Sequence, residues 1–161
     1  MLRTINRDYM KINIETPVDT KTSFTSLTKA IKLHFLTENS KRQTNRQDLE
    51  IDVHFLNPKD MIELNTQYRD KDYLTDVLSF SYLENLMDHE TLAGEIFVSM
   101  EKAQSQALEK GNDLETELYY LITHGYLHIT GHLHDSDDQE AEMNAAEDWI
   151  LKTSINKTIN R

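Results

Sequence analysis

Cysteine is absent from the 161-residue chain, which excludes disulfides, thiolate nucleophiles, iron–sulfur clusters and all-cysteine zinc sites. Only four glycines and two prolines occur, so collagen-like, low-complexity and linker-rich organisations are excluded too. No stretch approaches the ~20 apolar residues needed to cross a bilayer. The opening MLRTINRDYMKINIE has no apolar core of signal-peptide length, and a cytoplasmic location with no membrane partner is the expectation. No internal repeat is present. A chain of this length buries roughly two-thirds of its unfolded surface, so one domain over residues 1–161 is expected, with 153–161 as a frayed tail.

The net charge of −11 is unevenly placed. Residues 1–47 carry nine Lys/Arg against four Asp/Glu, and residues 48–161 carry eight against twenty-four. Overall acidity opposes a non-specific nucleic-acid coat, because affinity for phosphates comes from cations. A local basic face built from Lys29, Lys32, Lys41, Arg42 and Arg46 is compatible with an RNA-facing wall. A solvated helix and loop is the plainer account of the same residues.

Hydrophobic periodicity places the elements. Residues 11–16 alternate as a short strand closed by Pro17, and 22–38 show helical spacing through Phe24, Leu27, Ile31 and Phe35. A polar loop is expected at 39–47. LEIDVHFL (49–56) alternates as a strand, and Asn57-Pro58 then starts a helix to about Gln67. Residues 77–82 and 94–99 read as strands. Helices follow from Ser99 or Met100 to Lys110, from Asp113 to the turn at Gly131, and from the 135–138 caps through Leu151. The fold class is α+β: a small mixed sheet of about four strands, some five helices around it, and a metal site at a helix end.

That site is the run HGYLHITGHLH at 124–134. His124 and His128 are one helical turn apart, so both rings lie on one face at a Cβ separation of ~6 Å. Gly131 breaks the helix and lets His134 return as a third ligand. Three imidazole nitrogens leave one tetrahedral position open, the geometry of a catalytic rather than a structural zinc site. One divalent metal ion, with zinc the best match, is the expected cofactor. The spacing HxxxHxxGxxH is shared with metzincin peptidases, whose general base is a Glu directly after the first His. Here Gly125 occupies that position, which disfavours proteolysis and leaves a zinc peptidase as the alternative. Glu95 and Asp135 are the candidates for a base from elsewhere.

A second segment, LNTQYRDKDYLTDVLSFSY (64–82), places Arg69 and Lys71 in a loop before a strand. Arg69 brings a planar fork and Lys71 a point charge, both suited to phosphate oxygens. Local ion pairs to Asp70 and Asp72 would explain the same residues. Ser79 lies inside the strand, with no neighbouring His in sequence to activate it.

Together these segments resemble the YbeY endoribonucleases, bacterial rRNA maturation factors. HGYLHITGHLH is similar to their HGxLHLxGYDH, LNTQYRDKDYLTDVLSF to their LNxxYRxKDxPTDVLSF, AGEIFVS (93–99) to their GDIxI strand, and DDQEAEMNAAEDWIL to their acidic final helix. The resemblance covers about residues 48–152. It implies a metal-dependent endoribonuclease specific for single-stranded RNA, acting in 16S rRNA 3′-end maturation and ribosome quality control. The implied partners are single-stranded or ribosomal RNA and ribosomal proteins. By position, His124, His128 and His134 match the family's zinc ligands, and Arg69 matches its activity-linked arginine. Two departures stand out: His132-Leu133 replaces Tyr-Asp, and Leu74 replaces Pro. Loss of the Asp removes a partner that would orient a ligand imidazole, with Asp135 the nearest substitute.

Overall fold

The computed structural model describes residues 10–17, 20–42 and 48–161, without the side chains of 39–42. The chain runs β1 (Met10–Ile14), α1 (Thr25–Arg42), β2 (Leu49–Leu56), α2 (Pro58–Arg69), β3 (Val77–Ser81), a short 3-10 turn (Leu83–Asn85), β4 (Leu92–Ser99), α3 (Met100–Lys110), α4 (Leu114–Ile129) and α5 (Asp137–Ile155). The sheet order is β1-β2-β4-β3. β1, β2 and β4 are parallel, and β3 is antiparallel to β4. The four-stranded mixed sheet with five helices is the α+β domain expected from the sequence.

Helix boundaries follow side-chain chemistry. Asn57 accepts from the Asp60 amide at 2.9 Å with Pro58 as the first helical residue, Ser99 caps α3 through the Lys102 amide, and Asp113 caps α4 through the Thr116 amide at 2.7 Å. Gly111 ends α3 at φ 70°, in the left-handed region. Among the 135–138 candidates, Ser136 is the cap of α5.

Three expectations are corrected. Residues 39–42 continue α1 rather than opening a loop, since no Gly or Pro lies between Pro17 and Pro58 to stop the helix. Residues 43–47, and hence Arg46, lie outside the described residues, as do the side chains of Lys41 and Arg42. Arg69 is the last residue of α2 rather than part of a loop, because Asp70 takes the left-handed φ of 55° and closes the helix there. The tail at 153–161 is docked, not frayed. Ile159 is buried in the core, the Asn160 amide donates to Asn112 Oδ1 at 3.1 Å, and Lys157 pairs with Asp113. One apolar side chain and several polar partners fix a segment whose composition alone reads as polar and mobile.

Helix α4 is the central element. It lies against β3 and β4 on one side and against α3 and α5 on the others. Leu118, Leu121, Ile122, Tyr126, Leu127 and Ile129 are all buried. Close approach to the sheet requires Gly125: a Cβ there would lie 2.9–3.1 Å from three side-chain atoms of Ile96 on β4. Gly125→Ala is therefore expected to destabilise the fold by about 1–3 kcal/mol through overpacking, measurable as a lower urea midpoint.

Candidate metal centre

The carboxy-terminal end of α4 builds the site. The Gly131 amide donates to His128 O at 3.1 Å and the His132 amide to Leu127 O at 2.9 Å, with Gly131 at φ 101°. This paired closure is a Schellman motif, which needs the left-handed residue that glycine supplies without strain. Ser81 on β3 donates to the Ile129 carbonyl at 3.0 Å, tying the helix end to the sheet. The chain then reverses and brings His134 back to the face of α4 that carries His124 and His128. Ring centroids lie 4.6 Å apart for His124–His128, 4.9 Å for His128–His134 and 5.8 Å for His124–His134. One nitrogen from each ring lies within 4.8 Å of the others. His124 and His128 are half-buried and His134 is exposed.

Hydrogen bonding fixes the tautomers. His128 Nδ1 lies 3.0 Å from the His132 carbonyl oxygen, and His124 Nδ1 lies 3.0 Å from Glu147 Oε1. Carbonyl and carboxylate oxygens only accept, so in the neutral rings both Nδ1 atoms carry the proton and both Nε2 atoms keep a lone pair. Those two Nε2 atoms are 3.1 Å apart. Two acceptors so close, with neither able to donate, are suited to a shared cation. Bonds of ~2.0–2.1 Å at tetrahedral angles would put them about 3.3 Å apart. The donor set therefore fits a divalent metal, and His134 completes three nitrogens.

The group that orients His124 comes from a place the sequence did not suggest. Asp135 is exposed, and its amide bonds Gln139 instead. Glu147, on the acidic final helix, is 1% exposed and takes that role. Its second oxygen accepts from the Arg161 guanidinium at 3.1 Å, which offsets the buried charge. The only sequence signal was position: three to four residues on from Met143 and before Ile150 and Leu151, Glu147 falls on the apolar side of α5. Carboxylate partners of metal-bound imidazoles change metal affinity about 10–100-fold, so Glu147→Gln is expected to weaken divalent-metal binding by that factor. Competition with a chromophoric chelator would measure it.

A cleft of about 540 Å³ opens in front of the histidines, lined by all three of them and by Arg69, Tyr73, Thr75, Asp76 and Ser79 among others. The left-handed Asp70 ends α2 so that Arg69 borders the cleft, and Asn65 Nδ2 holds the following loop through the Tyr73 carbonyl at 2.9 Å. Lys71 is not among the lining residues. Its ammonium lies 6.0 Å from the ring of Tyr73, which does line the cleft. Ser79, which reads as a core-strand residue, in fact reaches the cleft. Glu95 does not: it bonds His54 and Tyr82 at 2.8 and 2.9 Å.

Burial, reinforced by the neighbouring His124 and His134, lowers the His128 pKa from its ordinary value. A lowered value keeps the ring neutral, and so ready to ligate, at pH 7.

Comparison with known proteins identifies the family. The chain is 37% identical over 133 residues to Endoribonuclease YbeY of Streptococcus sanguinis, covering 71% of this chain and 81% of the relative. It is 40% identical over 112 residues to Endoribonuclease YbeY of Alkaliphilus oremlandii, covering 68% and 74% of the two chains. A solution structure of a Thermotoga maritima protein superposes with a TM-score of 0.52 at 25% identity, covering 88% of this chain and 89% of that one. The family description Endoribonuclease YbeY matches residues 11–154, a span that reaches from β1 into the last turn of α5 and holds the whole histidine cluster. By the family match over most of its length and by its identity to these relatives, the chain belongs to the YbeY endoribonuclease family.

Proposed function

We propose that the protein is a zinc-dependent endoribonuclease that cuts single-stranded RNA during ribosomal RNA processing, at the 3′ end of 16S rRNA and in ribosome quality control. The observation that carries this reading is the cleft itself, where three convergent imidazoles face an arginine at the end of α2. His124, His128 and His134 would hold the metal, which when bound supplies Lewis acidity toward a phosphoryl oxygen or a water.

The chain's own groups do the rest. Glu147 and the His132 carbonyl hold the two helical imidazoles in the ligating tautomer. Arg69 places a fixed fork of donors where negative charge grows as the phosphodiester is attacked. Lys71, just beyond the cleft, would contact the RNA backbone as it leaves. The acidic final helix leaves the substrate to be gripped locally, by the cleft and by cations of α1 such as the exposed Lys29.

The peptidase alternative loses support from packing. The position of the peptidase Glu is Gly125, whose Cβ direction runs into Ile96. A carboxylate there would enter the core instead of the cleft. Glu95 and Asp135 are not among the cleft-lining residues.

The test is cleavage of a labelled single-stranded RNA by chelator-stripped protein, before and after one equivalent of zinc, with a peptide library as control. Zinc should restore RNA cleavage only. The stripped protein should remain folded by circular dichroism, because the core is built from α4, the sheet and α5 and zinc is required for folding mainly in much smaller domains. Unfolding on metal removal, with no cleavage of RNA after zinc is restored, would favour a metal-stabilised adaptor.

A further inference from the structure

Behind the metal centre lies a second cavity, of about 560 Å³, between α1, α5 and the turn that follows α4. Trp149 forms one wall and is 42% exposed, unusual for the chain's one tryptophan. His34 stands 5.8 Å from the Trp149 ring and 6.4 Å from the His132 ring, centroid to centroid. His34 is itself 8% exposed and fixed through Nδ1 to the Tyr126 hydroxyl at 2.9 Å. Glu38 and Glu142 supply carboxylates to the rim, with Thr37 beside them.

Resting on the ribonuclease reading, we propose that this cavity is a nucleobase subsite of the RNA substrate, one that prefers guanine. Aromatic walls stack on the π-face of any base. The exposed Glu142 carboxylate at the rim repels phosphate, so the backbone lies outside and the base points in. Carboxylates only accept hydrogen bonds, so they favour base edges that carry N–H groups. Guanine offers N1–H and the N2 amino group side by side, matching both oxygens of one carboxylate, whereas uracil offers a single N–H between two carbonyl oxygens. The cavity also adjoins the reaction centre through one residue. The ring of His132 lines it, and the backbone carbonyl of His132 accepts from the His128 imidazole. A strand bound in the metal cleft can therefore place a neighbouring base here by passing over the 130–134 turn.

Because Trp149 is the only tryptophan, its fluorescence reports occupancy without any need for cleavage. The full chain is titrated with guanosine, adenosine, cytidine and uridine, nucleosides that carry no phosphate, and with N-acetylarginine amide as a cationic control. Guanosine should quench saturably, with an affinity roughly tenfold above uridine, the discrimination expected of one bidentate base contact. Glu142→Gln should reduce that preference while leaving the fluorescence of the free protein unchanged. No saturable quenching by any nucleoside, or equal affinities for guanosine and uridine, overturns the proposal. Tighter binding of the arginine amide than of guanosine also overturns it, in favour of a basic peptide. Guanosine binding by a protein that cleaves no RNA would support the subsite and remove the ribonuclease reading. RNA cleavage without nucleoside binding would do the opposite.

Discussion

His128→Ala is expected to eliminate stoichiometric metal binding and, with it, RNA cleavage to below about one-thousandth of the wild-type rate. The size of the effect follows from the position of the ring. The three rings form a compact triangle, with His128 4.6 Å from His124 and 4.9 Å from His134 by ring centroid and those two 5.8 Å apart, so each ring supplies one corner of the site. Removing His128 leaves two nitrogens, one of them from the exposed His134, too few to hold the ion tightly. Metal analysis of protein purified without chelator, wild type and variant in parallel, should give about one ion per wild-type chain and none in the variant. Metal retained at full occupancy in the variant would remove the three-histidine site.

The same residue sets the acid limit. Burial and the adjacent imidazoles depress the His128 pKa in the folded state, so the neutral ring persists below the pH at which a free histidine would protonate. The associated stability is fully present above the unfolded value of ~6.5 and is lost as pH falls through the depressed folded value. Metal competes with the same protons, so occupancy should fall over that acidic range as well. Metal content that stays constant to pH 4 would contradict ligation by three imidazoles.

Arg69→Ala is expected to lower turnover by about 10²–10³-fold, the usual cost of removing one group that stabilises transition-state charge, with metal content unchanged. The separation of the two effects is geometric. Arg69 borders the cleft from the end of α2, while the three histidines come from α4 and the turn after it, so no ligand is held by the arginine. Arg69→Lys should recover little, because an ammonium lacks the planar fork that meets two phosphoryl oxygens. The measurement is single-turnover cleavage at saturating RNA beside metal analysis of the same preparations. Loss of metal in step with loss of rate would give Arg69 a structural role instead.

What the sequence by itself determined is local. The i,i+4 histidines, the glycine that ends their helix, and the Asn57-Pro58, Ser99 and Asp113 caps depend on interactions within a few residues. Capping and helical periodicity act at that range, so the elements and the histidine trio were legible from spacing alone. Which residues meet across the chain was not. Glu147 finds His124 from 23 positions away, and only the packing of α5 on α4 brings them together. The close seat of α4 on β4 explains why position 125 is glycine, since Ile96 occupies the space of its missing side chain. Lys71 and Ser79 exchanged expected places for the same reason: the left-handed turn at Asp70 and the register of β3 against β4 decide which side chains face the cleft. Local chemistry therefore marked the histidine cluster, and tertiary burial decided what orients it, because a buried carboxylate persists only where packing delivers its hydrogen-bond partners.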